Sequence, residues 1–356
     1  MFNLKKSLIF KKTKNFFIKI ITKIFFACIK KNTSLNKRIV ICLTHAAGDF
    51  LMASKAINYL IIKTNNEKLF LYERPEVKDL IITIFPKIKS TQIKHITYVK
   101  KLKKDDLLIN FSGPNQTLTN QVFKKGLKFI GFLYDLKIRT NLKIKINHNY
   151  CEKKSNHIRR NNRIIEILFR LEEFDIPDEI FIPKLSSKIS KEKAILINFP
   201  QEKTFKAYPP NKSKDLIKLI SKNYKFKILS YYKDQKTIQT FANFKENFEK
   251  FENWKALIST LTKYELIITT DSVVYHMCNG LNLKCIALFG HTSSKFYKTK
   301  FSRIKHIDKS DPSKPCYFGC GSNKYGKNNN CNPYCKIINS IKNEDIIKSL
   351  KYIIQK

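Results

Sequence analysis

The chain has 356 residues and carries 69 Lys and Arg against 28 Asp and Glu, a formal net charge of +41. Hydrophobic residues at 43 % and charged residues at 27 % exclude a disordered chain, and 9 Gly with 11 Pro exclude collagen-like or Gly/Ser-linker architecture. At about 150 residues per domain the length predicts two domains with a core each, and the basic excess calls for an anionic partner: nucleic acid, an acidic membrane surface or a phosphorylated substrate.

No acid precedes Asp49, whereas the first 48 residues carry ten Lys and one Arg. On a helical wheel at about 100° per residue, Phe10, Phe17, Ile21, Ile24 and Cys28 share one face. Lys5, Lys12, Lys19, Lys23 and Lys30 share the other. This division predicts a basic amphipathic helix in residues 1–37 that lies on an anionic membrane surface. The alternative is a basic extension that is partly disordered or packed on the domain behind it. Lys19 and Lys23 interrupt the apolar segment and no small-residue cleavage site follows, which argues against a signal peptide. No run approaches the roughly 18 apolar residues of a spanning helix. Scattered Cys within apolar runs, such as Cys42, read as buried thiols in a reducing compartment. The expected location is cytoplasmic, peripheral on the inner face of the cytoplasmic membrane.

From Arg38 the texture changes to short apolar runs alternating with amphipathic stretches. Candidate strands at 38–44, 68–73, 94–99, 105–110 and 127–133 enclose candidate helices at 49–62, 76–84 and 115–125. A helix-like stretch at 161–173 precedes Asp175-Ile176-Pro177-Asp178 and Pro183, which mark the end of a first domain, 38–178, and a linker. The rhythm restarts in the second domain, 179–356, with strands at 193–199, 225–231, 265–270 and 284–289. Helices are expected at 211–222, 235–246, 254–263 and 272–281. Alternation of this kind predicts an α/β fold of two Rossmann-like domains facing a cleft, with ligands beyond the carboxyl ends of the strands.

Those ends carry the candidate chemistry. The first strand runs into His45, Gly48 and Asp49; Gly48 permits close backbone approach, and Asp49 is either a helix cap or a carboxylate offered to a ligand. Lys206, in the loop after 193–199, can meet a phosphate as a point charge. Asp271 and Ser272 follow a buried strand and cap the next helix, His276 lies one turn along it, and Gly290 and Thr292 follow strand 284–289. Backbone N–H groups of the Gly290 turn suit a diphosphate. Further on, Cys316, Cys320, Cys331 and Cys335 form two close pairs in segment 316–335, compatible with a structural zinc site or with thiols that stabilise a turn.

Taken in order, these segments resemble glycosyltransferase family 9, the ADP-heptose:lipopolysaccharide heptosyltransferases and their relatives. Gly48-Asp49 with Met52 and Ala56-Ile57 resembles the family's first loop and helix, and Lys206-Ala207-Tyr208-Pro209-Pro210 its Lys-x-Trp-Pro-Pro stretch. Asp271-Ser272 with His276 resembles its Asp-Ser-Gly-x-x-His signature, and Ala287 to Thr292 its Ala-Leu-Phe-Gly-Pro-Thr. Val273 stands where the signature has Gly, His291 where it has Pro, and Phe199-Pro200-Gln201 where Pro-Gly is usual. The resemblance implies a GT-B fold, inverting transfer from an ADP-heptose-like nucleotide-sugar to a glycolipid acceptor of lipopolysaccharide-core type, and no cofactor for catalysis. It makes Asp49 the general base, Gly48 and His45 acceptor contacts, and Lys206, Asp271, Ser272, His276, Gly290 and Thr292 donor contacts. The competing readings are a basic nucleic-acid-binding protein and an inactive relative. No recognised nucleic-acid motif occurs and the basic residues are dispersed, so nucleic acid is not expected as a partner.

Overall fold

A computed structural model describes residues 38–43, 46–111, 116–132, 138–140, 156–169, 171–172, 175–183, 191–201, 206–290, 292–299, 302–310 and 334–355. The arm 1–37, His45, Cys316, Cys320 and Cys331 lie outside the described residues.

The first half builds β1 (Ile39–Leu43), α1 (Ala47–Lys63), β2 (Lys68–Tyr72), α2 (Pro75–Ile84), β3 (Ile93–His95), β4 (Leu107–Asn110), α3 (Gln116–Lys125), β5 (Lys128–Phe132), β6 (Ile138–Thr140) and α4 (His157–Phe169). Its sheet has the order β3-β2-β1-β4-β5-β6, parallel except for the β5–β6 pair. Every residue of β1 is buried because both faces of a parallel sheet are covered. Ile39, Ile41 and Leu43 point into a core with α1, α2 and α4, while Val40 and Cys42 point to Leu118 and Val122 of α3.

The second half repeats the plan with β7 (Glu192–Asn198), α5 (Pro210–Ser221), β8 (Phe226–Tyr231), α6 (Gln235–Thr240), β9 (Phe248–Phe251), α7 (Trp254–Lys263), β10 (Tyr264–Thr270), α8 (Val273–Gly280), β11 (Cys285–Phe289), β12 (Ile304–Asp308), α9 (Lys336–Asn339) and α10 (Asn343–Ile354). The order β12-β11-β10-β7-β8-β9 is fully parallel. Each sheet therefore reverses direction of growth beside its first strand, between β1 and β4 and between β7 and β10, and leaves a crevice there.

Several boundaries differ from expectation. The strand expected at 94–99 stops at His95, and Ile96–Lys101 forms a 3₁₀ turn. Its apolar residues Ile96, Val99 and Leu102 recur every third position and bury together against the outer face of the sheet. The helix expected at 161–173 starts at His157, because the Asn156 carboxamide oxygen accepts from the N–H of Ile158 at 2.9 Å and caps it. The helix expected at 235–246 breaks at Phe241 into α6 and a 3₁₀ turn. Residues 175–183, at the expected end of the first domain, are packed on the helices around them. Arg159 pairs with Glu166 and, at 3.1 Å, with Asp178, and Ile176 N–H donates to Glu166 at 3.2 Å. Ile176 is buried beside α4, while Phe181 N–H donates to Ser54 Oγ of α1 at 2.8 Å and Ile180 and Ile182 pack against Gly280 of α8, so residues 175–183 are held between these helices. Among the described residues no helix is long and apolar enough to cross a membrane.

Candidate active site

The carboxyl ends of β1, β7 and β10 open on one cavity of about 340 Å³. Gly48, Asp49 and Met52 line it from α1, and Lys206, Asp271, Ser272, Val273, His276 and Tyr297 line it from the second half. A second cavity of about 450 Å³ adjoins it and shares Glu76, Pro200, Trp254, Ser272 and Val273. Its walls are the ends of β8 and β9, with Leu229, Tyr231, Phe251 and Asp234, closed by Glu76 and Asp79 of α2. The indole N–H of Trp254 donates to the carbonyl of Glu76 at 2.8 Å, pinning α7 to α2 across the cleft.

Asp49 is not the cap of α1. The helix begins at Ala47 with Ala46 in the cap position and no side-chain capping bond. Asp49 is the third helical residue, half-buried, and its carboxylate is left to the cavity. Asp271 likewise spends its carboxylate inward: its Oδ2 accepts from Lys206 Nζ at 3.0 Å and from Thr292 Oγ1 at 2.6 Å. Ser272 stands at the cap position of α8 without capping it. Its hydroxyl instead lies 3.1 Å from that of Thr269 and donates to Asn198 Oδ1 at 3.3 Å, tying β7 to β10. Among the described residues the first N–H groups of α8 therefore have no side-chain cap.

The residues after Lys206 anchor its turn. Tyr208 is buried, and its hydroxyl donates to Asn343 Oδ1 at 2.7 Å; Pro209 and Pro210 then start α5. Gln201, in place of the usual Gly, donates to the carbonyls of Phe199 at 3.0 Å and Tyr208 at 3.3 Å and so holds both ends of the loop.

His276 is 4 % exposed. Burial pushes its imidazole down to about 4, against the opposing pull of Asp271 and Asp49, so the ring is neutral at pH 7. Its Nδ1 has no hydrogen-bond partner among the described residues. The ring fills the space that a Cβ on Gly48 would take: such an atom would lie 2.9 Å from its Cδ2. The missing side chain of Gly48 thus lets the two halves meet. Gly290, expected as a donor contact, packs closely on α9. A Cβ built on it would lie 2.6 Å from the Cβ of Ile338 in α9, and Gly290 lines neither cavity. Its missing side chain admits this packing helix. Thr292 stands behind Asp271 as its hydrogen-bond donor. Cys335 is buried with Ile338 and Ile341 in the core of the second sheet, away from both cavities. Among the described residues no three His, Cys, Asp or Glu side chains are grouped to hold a metal ion.

Sequence reasoning missed Arg74, Glu76, Trp254 and Tyr297, all lining the first cavity. Trp254 is the chain's single Trp and follows the helix cap Asn253, a signal that could have found it.

Known proteins share this fold. The sequence profile of glycosyltransferase family 9 (heptosyltransferase) matches residues 128–320, more than half of the chain. The chain belongs to glycosyltransferase family 9. It is an α/β protein of GT-B fold and a glycosyltransferase. A family 9 glycosyltransferase from Veillonella parvula DSM 2008 is similar over 90 % of this chain and 97 % of its own, with 14 % identity and a TM-score of 0.60. The E. coli heptosyltransferase WaaC, solved with ADP, is similar over 89 % and 99 %, with 10 % identity and a TM-score of 0.60. The E. coli ADP-heptose lps heptosyltransferase II is similar over 90 % and 98 %, with 14 % identity and a TM-score of 0.59. No curated protein matches the chain by sequence.

Proposed function

We propose that this glycosyltransferase moves a heptose from an ADP-heptose-like donor to a hydroxyl of a lipopolysaccharide-core glycolipid. The observation that carries the reading is the meeting of a carboxylate from the first half, Asp49, with Lys206, Asp271 and His276 from the second on one cavity. The adjoining aromatic-walled cavity takes the donor nucleoside, which places its diphosphate at Lys206 and the start of α8. Asp49 accepts the proton of the acceptor hydroxyl as that oxygen bonds to the anomeric carbon. The bond from that carbon to the diphosphate breaks with its electron pair on the leaving oxygen, and configuration inverts. Lys206 and the uncapped N–H groups of α8 stabilise the departing charge.

WaaC was solved with ADP and the similar E. coli heptosyltransferase TibC with ADP-D-beta-D-heptose, which supports the donor class. The composition of residues 1–37 supports anchoring on anionic lipid at the inner membrane face, beside a glycolipid substrate. Cysteine spacing supports a structural zinc at Cys316, Cys320, Cys331 and Cys335, tested by metal analysis of untagged protein. For the donor, a thermal-shift screen of nucleotide-sugars followed by a transfer assay on core oligosaccharide is decisive. Stabilisation by ADP-heptose above other sugars, with release of ADP on adding acceptor, is expected. Stabilisation only by a uridine or guanosine sugar would replace the donor.

A further inference from the structure

We propose that the Lys206–Asp271 ion pair makes the site discriminate the intact nucleotide-sugar against the nucleoside diphosphate that the reaction leaves behind. The inference rests on the nucleotide-sugar reading above. The two partners are unequally placed. Asp271 has 4 % of its side chain exposed and Lys206 29 %, so the carboxylate belongs to the protein and the ammonium to the cavity. Asp271 is fixed from behind by Thr292, while Lys206 reaches in from a turn. Before any ligand arrives, the carboxylate therefore occupies on Lys206 the position of an anion.

An incoming diphosphate must take Lys206 from it. The carboxylate then loses its ion pair with Lys206 while a second anion settles nearby, which is costly in a buried setting. His276, beside it, is held neutral and does not replace the lost charge. Arg74, another cation lining the cavity, lies 3.8 Å from Glu76 on the first domain. What can repay Asp271 is a set of hydroxyl donors, and a nucleotide-sugar brings them next to its diphosphate. A free nucleoside diphosphate has only its ribose hydroxyls and none beyond its terminal phosphate, and it carries one more negative charge. The exchange of partners on Lys206 thus opposes product more than donor and favours product departure, when Lys206 returns to Asp271.

The test is calorimetric titration of the full chain with ADP and ADP-heptose, with UDP and UDP-glucose alongside. In the wild type the sugar nucleotide should bind more tightly than its diphosphate. Asp271→Asn removes the competing anion and should tighten ADP by about tenfold, on the scale of one charge-assisted hydrogen bond, while the advantage of ADP-heptose shrinks. Thr292→Val should do the reverse and weaken ADP, because the carboxylate then depends more on Lys206. The opposite signs keep the test alive if one variant fails to fold, which melting curves will show. Unchanged or weaker ADP binding by folded Asp271→Asn, or tighter ADP binding by Thr292→Val, overturns the discrimination and leaves the function standing. If no nucleotide binds the wild type or either variant, the nucleotide-sugar reading falls, and this inference with it.

Discussion

Gly48→Ala tests whether the contact between the two halves positions the catalytic carboxylate. The new methyl would lie 2.9 Å from Cδ2 and 3.2 Å from Nε2 of His276. Carbon contacts settle at about 3.5–4.0 Å, so the ring must withdraw by roughly 0.6–1.1 Å. It has little room, with the Tyr275 and Tyr297 ring centroids 5.0 and 5.3 Å from its own. The strain therefore passes to the packing of α1 on α8. Overpacking costs about 1–3 kcal/mol, against which Ala regains about 0.5–1 kcal/mol over Gly within a helix. A net loss of at most about 2.5 kcal/mol should lower Tm by only a few degrees. Transfer should suffer more, because Asp49 is the next residue and a misplacement of about 1 Å at reacting groups costs about 10²-fold. The assay is kcat/KM for ADP release from ADP-heptose with core oligosaccharide, beside a melting curve. Gly126→Ala is the control, since Gly126 has φ +61° and nothing within 4 Å of its Cβ position; it should lose stability and keep transfer. Wild-type kcat/KM in Gly48→Ala would refute the reasoning.

Asp49→Asn should cut the transfer rate by about 10²–10⁴-fold, the usual worth of a general base, with melting hardly changed because Asp49 caps nothing. An Asn variant with normal turnover would remove Asp49 from the chemistry. Burial pushes His276 and His306 down to about 4 and His157 to about 3, below the ordinary 6.5, so the folded state binds fewer protons than the unfolded chain. Stability should be full above pH 6.5 and fall as pH drops towards 4, with His276 alone contributing about 2 kcal/mol of the loss by pH 5. Melting curves across that range check this, and His276→Gln should flatten the slope; an unchanged slope argues against a neutral buried ring. Deleting residues 1–37 should abolish salt-sensitive sedimentation with anionic vesicles, since lipid attraction is screened within about 8 Å at physiological ionic strength. Equal sedimentation of the full chain with neutral vesicles would count against the arm as an anchor.

What the sequence announces and what it hides divide along physical lines. Ile39 to Leu43 is legible as a strand because a strand covered on both faces is apolar throughout. Phe248–Phe251 and Ile304–Asp308 escape notice because they are edge strands, only partly buried and interrupted by Glu249, Lys250, Lys305 and His306. The start of α4 is hidden by Arg159, Arg160 and Asn161, which resemble solvent-facing residues yet are buried. At the site, Asp49, Lys206, Asp271 and His276 are findable because they follow strand ends. Asp49 and Asp271 are ambiguous with helix caps in the sequence, an ambiguity that only the positions of Ala46 and Ser272 remove. Arg74, Trp254 and Tyr297 belong to no motif and reach the cavity only through the apposition of the two halves.

The two sheets share one apolar core: Ile39 and Ile41 of the first and Leu196, Ile267 and Cys285 of the second belong to a continuous cluster. α1, apolar on nearly every side, lies within it. Melting one half therefore uncovers greasy surface on the other, and calorimetry of the intact chain should show a single cooperative endotherm. The same continuity restrains how the molecule breathes. Gaping wide enough to part α1 from α8 would wet that cluster, and exposing its apolar surface opposes such an opening.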